Sequence, residues 1–326
     1  MSTPEETARA DQPADATDIT SRKAGEIQLD TAVRYVFAAC GVLTVLVTAG
    51  IIYVLIDGAQ VFFASDIVDV QGFLTGNTWK PTSKTGDGTY KFGILPLVSG
   101  TLIIVVTSAV IALPTGLGAA IYLSEYASPR TRAIFKPTLE ILAGVPTIVY
   151  GFFALFFITP FLDNFFQIRT FNALSAGIVV GIMIIPMVSS ISEDAISAVP
   201  NSLREAAYGL GSTKFETTTR VVVPSALSGI ISSYVLALSR AIGETMAVTV
   251  AAGQSAKMPF YPNVEQNLLQ SIETITAAMI NVASADIGGN TPAYDSMFAL
   301  GLALFGMTFV MNLVAEYIAG RYREEY

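Results

Sequence analysis

Six long apolar runs constrain this chain of 326 residues more than any other feature, at roughly 35–57, 92–123, 138–162, 173–191, 225–253 and 297–319. A helix needs about 20 apolar residues to cross the hydrocarbon core of a bilayer, and each run supplies that length. The mean hydropathy of +0.57 and a charged fraction of only 13% agree; soluble domains run near a quarter charged. The expectation is an all-α integral membrane protein with six transmembrane helices. Pro96, Pro114, Pro146 and Pro186 lie in or near the ends of the runs, and glycines such as Gly116, Gly144, Gly151 and Gly177 thin their surfaces. Proline kinks helices and small residues let membrane helices approach closely, which suits a bundle with moving parts.

Histidine is absent, and the one cysteine, Cys40, sits in the first run and reads as a small packing residue. No intrachain disulfide, Cys/His metal site or His-based triad is available. Nor is there a phosphate-cradling G-x-x-x-x-G-K-[ST] motif; Gly209-Leu210-Gly211-Ser212-Thr213-Lys214 has the letters in the wrong arrangement. The chain is therefore expected to be no enzyme, to bind no metal or cofactor, and to hydrolyse no ATP itself.

The net charge is −8, and residues 1–30 hold seven acids (Glu5, Glu6, Asp11, Asp15, Asp18, Glu26, Asp30) against Arg9, Arg22 and Lys23. With almost no large apolar side chains, this acidic segment is expected to be a disordered tail. It lacks the pattern of a cleaved signal peptide. The first transmembrane helix is expected over 31–62, an external loop over 63–91 and a core transmembrane domain over 92–320. The core contains a cytoplasmic loop at 192–224 and an external loop at 254–296, and 321–326 form the C-terminus. In the second external loop, Glu273–Ile280 reads as a partly apolar helix on or near the outer face.

Charge asymmetry sets the orientation. With the N-terminus inside, Arg9, Arg22, Lys23, Arg34, Arg130, Arg132, Lys136, Arg204, Lys214, Arg220, Arg321 and Arg323 are cytoplasmic. The external pieces carry only Lys80, Lys84, Lys91, Arg169 and Lys257. Both termini and the 192–224 loop are thus expected in the cytoplasm, where ATP is.

That loop contains Glu205-Ala206-Ala207-Tyr208-Gly209-Leu210-Gly211 and ends in Val221-Val222-Val223-Pro224. Glu205, Ala206 and Ala207 form a turn small enough to enter a cleft. Gly211 permits a sharp change of direction, and Pro224 suits the first turn of a following helix. Leu203, Ala207, Leu210 and Phe215 are expected to supply an apolar contact surface.

The fifth run carries Ser239-Arg240-Ala241-Ile242-Gly243-Glu244-Thr245. At 1.5 Å per residue, Arg240 lies about 22 Å along a helix that starts near Ser225. A charge at that depth costs about 2.5–3.5 kcal/mol on insertion scales and marks a transport path by default. Glu244 follows at i+4, on the same face of a continuous helix, but such a pair contributes only about 0.2–0.5 kcal/mol. Guanidinium matches tetrahedral oxyanions, and a nearby carboxylate would prevent overly tight retention. Ser239, Thr245 and Thr249 add hydroxyls, although the two threonines also suit bonds back to their own helix. A purely structural ion pair between helices is the competing reading.

The Glu205–Pro224 stretch resembles the EAA loop by which membrane subunits of ABC importers dock a separate ATPase; Val221 and Val223 stand where Ile and Leu are usual. Further stretches carry the likeness: Phe73-Leu74 with Trp79 and Pro81, leading into Phe92-Gly93-Ile94-Leu95-Pro96-Leu97; Leu113-Pro114-Thr115-Gly116 through Tyr122-Leu123-Ser124-Glu125-Tyr126; Leu142-Ala143-Gly144-Val145-Pro146-Thr147; and Arg240-Ala241-Ile242-Gly243-Glu244-Thr245-Met246. Over roughly residues 63–320 the chain is similar to phosphate ABC importer permeases of the PstC type. The resemblance implies the type I importer transmembrane fold in a prokaryotic cell membrane. It implies a PstA-like second permease, a PstB-like ATPase dimer that uses the ATP, and an extracytoplasmic PstS-like binding protein delivering phosphate. Arg240, Glu244 and Thr245 would line the pathway, and Glu205, Ala206, Ala207, Gly211 and Pro224 would couple to the ATPase. No nucleic acid is implied. The alternatives are a permease for another oxyanion, a PstA-type subunit, a membrane scaffold for phosphate signalling, or an ion-coupled secondary transporter. The last would call for inverted repeats, which the two halves do not display.

Overall fold

The structure, a computed structural model, describes residues 16–65, 67–82, 89–259, 264–285, 288–289 and 291–321. Residues 1–15 of the acidic segment, residues 83–88 of the first external loop and the last five residues lie outside the described residues. The chain divides into two units, one ending at Val54 and the other beginning at Leu55.

Helix α1 (Ala16–Phe63) runs through the first unit. The disordered tail expected over 1–30 is thus corrected from Ala16 onward. Nucleation is the costly step of helix formation, and the apolar run supplies it. Extension through Glu26, Gln28 and Leu29 then adds one bond per residue. Tyr35, Phe37 and Tyr53 are each about 70% exposed, as suits a surface that meets lipid or another apolar body. Thr44 and Thr48 donate their hydroxyls to the carbonyls of Cys40 and Thr44, so neither polar group is left unmet. Cys40, expected to pack, is exposed.

The second unit is built around α7 (Ala173–Ser197), on which Val179, Val180, Ile184 and Val188 are fully buried. Asn172 caps its start by accepting a bond from Ser175 N at 2.7 Å, one of the preferred N-cap arrangements. Helix α3 (Leu95–Ile121) lies along α7. A Cβ on Gly177 would meet Thr107 at 2.5 Å, and one on Gly116 would meet Val188 at 2.7 Å. The small residues are what let these backbones approach.

Before α3 come α2 (Val70–Thr75) and a two-residue strand pair, β1 (Trp79–Lys80) with β2 (Lys91–Phe92), which sets Trp79 opposite Phe92. Phe62, Phe73, Trp79 and Phe92 meet edge to face in a buried cluster, a favoured aromatic geometry.

Two expected spans are not single straight helices. The third is α4 (Pro129–Ala143) followed by α5 (Thr147–Phe153), a π-helical turn and α6 (Thr159–Asp163). The two pieces turn through 91°. Gly144 closes α4, Pro146 takes an extended ψ of 133°, and the residue before a proline is pushed out of the α region.

After α8 (Asn201–Gly209), the chain passes through α9 (Lys214–Thr217), a π-helical turn and α10 (Val223–Ser225), then bends by 68° into α11 (Leu227–Ile242), where the fifth span begins. It breaks again before α12 (Met246–Ala252). Among the described residues, four helices are long and apolar enough to cross a membrane alone, and the two bent pairs bring the number to six.

The last elements are α13 (Val264–Leu269), α14 (Ile275–Ser284) and α15 (Pro292–Arg321). Helix α14 is the one expected on or near the outer face. It packs against α3, α12 and α15, with Ile275, Ala277 and Ala278 fully buried.

Candidate functional site

Two sets of residues single themselves out: a knob on α8 and a break in the fifth span. On α8, Leu203 packs against the buried cluster that holds Ile196, Val199 and Val222, and Ala207 is buried. Glu205 and Ala206 are exposed, Tyr208 is 44% exposed and Leu210 is 89% exposed. Gly211 has φ of 86°, a left-handed conformation that glycine takes without the Cβ penalty. The chain thereby turns into α9, whose capping box pairs Thr213 with Glu216. Those hydrogen bonds from Thr213 hold the Glu216 carboxyl below its ordinary pKa. Phe215 projects next, 69% exposed.

The expected apolar contact surface is therefore split. Leu203 and Ala207 anchor the knob, while Leu210 and Phe215 stand out from it with Tyr208. Residues four apart share a helix face, so Leu203 and Ala207 turn inward together. Pro224 lies in α10, just before the 68° bend.

Sequence reasoning missed the charges that hold the knob's base. Arg204 donates from Nη1 to Val199 O at 2.6 Å, and from Nη2 to Ile196 O at 2.9 Å and Glu125 Oε1 at 2.8 Å. The two side chains are only 14% and 7% exposed. Beside them the carboxylate of Glu193, 1% exposed, receives Arg132 and Lys136 from α4. The signal was available: Glu125 and Glu193 are acids at the edges of apolar runs, where each needs a cation.

At the break, the structure corrects the expectation that Arg240 and Glu244 share a helix face. Gly243 caps α11, so the helical i,i+4 geometry ends between them. No ion pair joins the two among the described residues. Arg240 is exposed in the last turn of α11, where a cation complements the helix dipole. Glu244 is 8% exposed and accepts a bond from Ala247 N at 3.2 Å, within the first turn of α12.

Thr245 donates to Gly243 O and Thr249 to Thr245 O, while Ser239 donates to Asn312 on α15. Arg240 also lines a cavity of about 280 Å³ with Lys136, Glu140, Ser189, Ser190 and Glu193. Ser189 Oγ is buried there without a partner among the described residues. The structure thus gathers Glu244, Thr245 and Thr249 at one helix break and sets Arg240 in the lining of a cavity. It does not bring the coupling residues to either place.

Residues 112–324 match the family model described as binding-protein-dependent transport system inner membrane component. The chain is 33% identical over 290 residues to "Probable ABC transporter permease protein YqgH" of Bacillus subtilis, covering 88% of this chain and 90% of that one. It is 36% identical over 269 residues to "Phosphate transport system permease protein PstC" of Mesorhizobium japonicum, covering 76% and 78%. The fold is similar to a chain of a bacterial alginate ABC transporter in complex with an alginate-loaded periplasmic protein. That match has a TM-score of 0.62 at 14% identity and covers 90% of this chain and 96% of the other.

Proposed function

Because the chain belongs to the family of binding-protein-dependent transport system inner membrane components, we propose that it is the PstC-type permease subunit of an ATP-driven importer of inorganic phosphate. It is a multi-pass cell-membrane protein with the transmembrane architecture of type I ABC importers, and it works with a second permease, an ATPase and an external binding protein.

One observation carries the coupling assignment. The α8 knob presents Glu205, Ala206, Tyr208, Leu210 and Phe215 outward on a buried, ion-paired base. A small convex apolar projection is what a cleft on a separate motor would grip, since a few exposed aromatic and aliphatic anchors carry most of the energy of an interface. The knob lies on the cytoplasmic side in this reading, with both termini, and the motor is a PstB-like ATPase dimer that binds and spends the ATP. A PstA-like permease completes the pathway, and a PstS-like protein delivers phosphate outside.

Arg240 contributes the recognition chemistry, since an exposed guanidinium without a partner among the described residues is free to pair with an oxyanion. Glu244 contributes by placement: it ties the α11–α12 break, and that break keeps its carboxylate from neutralising Arg240. Thr245 stiffens the same break through its bond to Gly243 O.

The test is phosphate uptake into proteoliposomes holding both permeases and the ATPase, with loaded binding protein outside and ATP inside. Uptake that requires ATP and all four components is the expected result. Uptake by this chain alone down a proton or sodium gradient would overturn the reading.

A further inference from the structure

We propose that Arg204 and Glu125 form the link through which movement of the ATPase-bound knob reaches helix α3; this rests on the coupling role of α8 proposed above. Arg204 immediately precedes the exposed Glu205, yet its side chain points the other way. Its Nε and Nη2 converge on one carboxylate oxygen of Glu125, at 3.3 and 2.8 Å. The two residues are 79 positions apart. Glu125 lies in the π-helical turn Tyr122–Tyr126 that extends α3. Such turns interrupt the regular ladder and recur at functional sites.

The remaining donors of Arg204 close the carbonyl of Ile196 in the last turn of α7 and that of Val199 just beyond it, and reach Asn201 Oδ1. Ser124 and Ser197, each next to this knot, meet at 3.2 Å. One guanidinium therefore holds α8, the end of α7 and the end of α3 together. The knob is joined covalently to α7 through Ala198-Val199-Pro200, and that connection alone would move α7. Helix α3 has no such connection to α8. Its charged hydrogen bonds to Arg204 are sequestered from water, which makes them stronger than the same bonds at the surface. Displacing α8 must carry α3 along or break them. Arg204 and Glu125 are thus positioning residues for transport; neither needs to touch phosphate or ATP.

The test uses the complete importer in proteoliposomes with Glu125→Gln, Arg204→Gln and the double variant. Three quantities are read: ATPase retained on purification, ATP hydrolysed, and phosphate imported per ATP. The ATPase should co-purify as with wild type, because the outward face of α8 is unchanged. Phosphate imported per ATP should fall about tenfold, within the range usual for coupling between sites. The double variant should be no worse than either single one, since both remove the same link.

A wild-type ratio in Glu125→Gln, or effects that add in the double variant, would overturn the link while leaving the function reading intact. Loss of uptake in strict proportion to lost ATPase would also overturn it, showing that the pair only shapes the docking surface. Should Arg204→Gln fail to assemble, Glu125→Gln decides alone, since it leaves α8 itself unaltered. A wild-type permease that retains no ATPase would overturn the coupling reading of α8 and the link that rests on it.

Discussion

Lys136 Nζ lies 2.8 Å from Glu193 Oε2, joining α4 to α7 across 57 residues of sequence, and Arg132 takes the other carboxylate oxygen. The three groups are unequal. Glu193 is 1% exposed, whereas Arg132 and Lys136 are 42% and 35% exposed. Removing the acid leaves two cations that water can solvate; removing both cations leaves a buried charge alone. The expected order of damage follows. Glu193→Gln costs about 1–2 kcal/mol, and Arg132→Gln with Lys136→Gln costs about 3–5 kcal/mol, the penalty typical of an uncompensated buried charge. Thermal unfolding in detergent measures this, and equal losses would show that the acid is better hydrated than its burial indicates.

The spans were legible because about 20 apolar residues in a row encode a crossing without reference to the rest of the chain. The breaks were not. Gly144-Val145-Pro146 and Gly243 look like the many glycines and prolines that membrane helices tolerate. Only the packing of α5 and α12 against α7 shows that they end helices. The same limit explains the missed Arg204–Glu125 pair, because contacts between residues 79 positions apart leave no periodic trace. The knob's outline could be read from Glu205 to Gly211, but its split into anchor and outward face depended on the inward turn of Leu203 and Ala207.

Leu210 separates docking from folding. At 89% exposure it is almost wholly free of packing among the described residues, so Leu210→Ala should leave permease stability within about 0.5 kcal/mol. If Leu210 is an anchor for the ATPase, the same change should weaken their association by more than about 1 kcal/mol. Glu205→Lys should leave the protein inserted and uncouple hydrolysis from uptake. Retention of the ATPase on an affinity-tagged permease, followed by uptake per ATP, reads both variants. Undiminished retention by Leu210→Ala would place the docking surface elsewhere.

Arg240 and Glu244 should behave independently in a way an ion pair could not. Arg240→Gln removes an exposed cation and should lower phosphate uptake with little change in unfolding temperature. Glu244→Ala removes the bond from Ala247 N and should cost about 1 kcal/mol, as loss of a helix cap does. In the double variant the two stability effects should add within about 0.5 kcal/mol. Interaction energy above that limit would mean that the side chains meet across the Gly243 break, and normal uptake by Arg240→Gln would remove it from the pathway.

Glu273 gives a pH dependence whose sign can be worked out. Its carboxyl, 6% exposed beside α14, is pushed above the ordinary carboxylate pKa by burial, partly opposed by the hydrogen bond from Asn281 Nδ2. An acid whose folded pKa is raised binds its proton more tightly in the folded state, so stability falls as pH rises from the unfolded value, about 4.3, through the folded one. Above that window the ionised group remains a constant cost. Glu273→Gln keeps an acceptor for Asn281 and removes the charge. It should leave the unfolding temperature unchanged near pH 4 and raise it at pH 7, by about 2–4 °C for each kcal/mol recovered. Unfolding of both proteins followed between these pH values measures the difference. An equal shift at both ends would mean that packing, not ionisation, separates the two side chains.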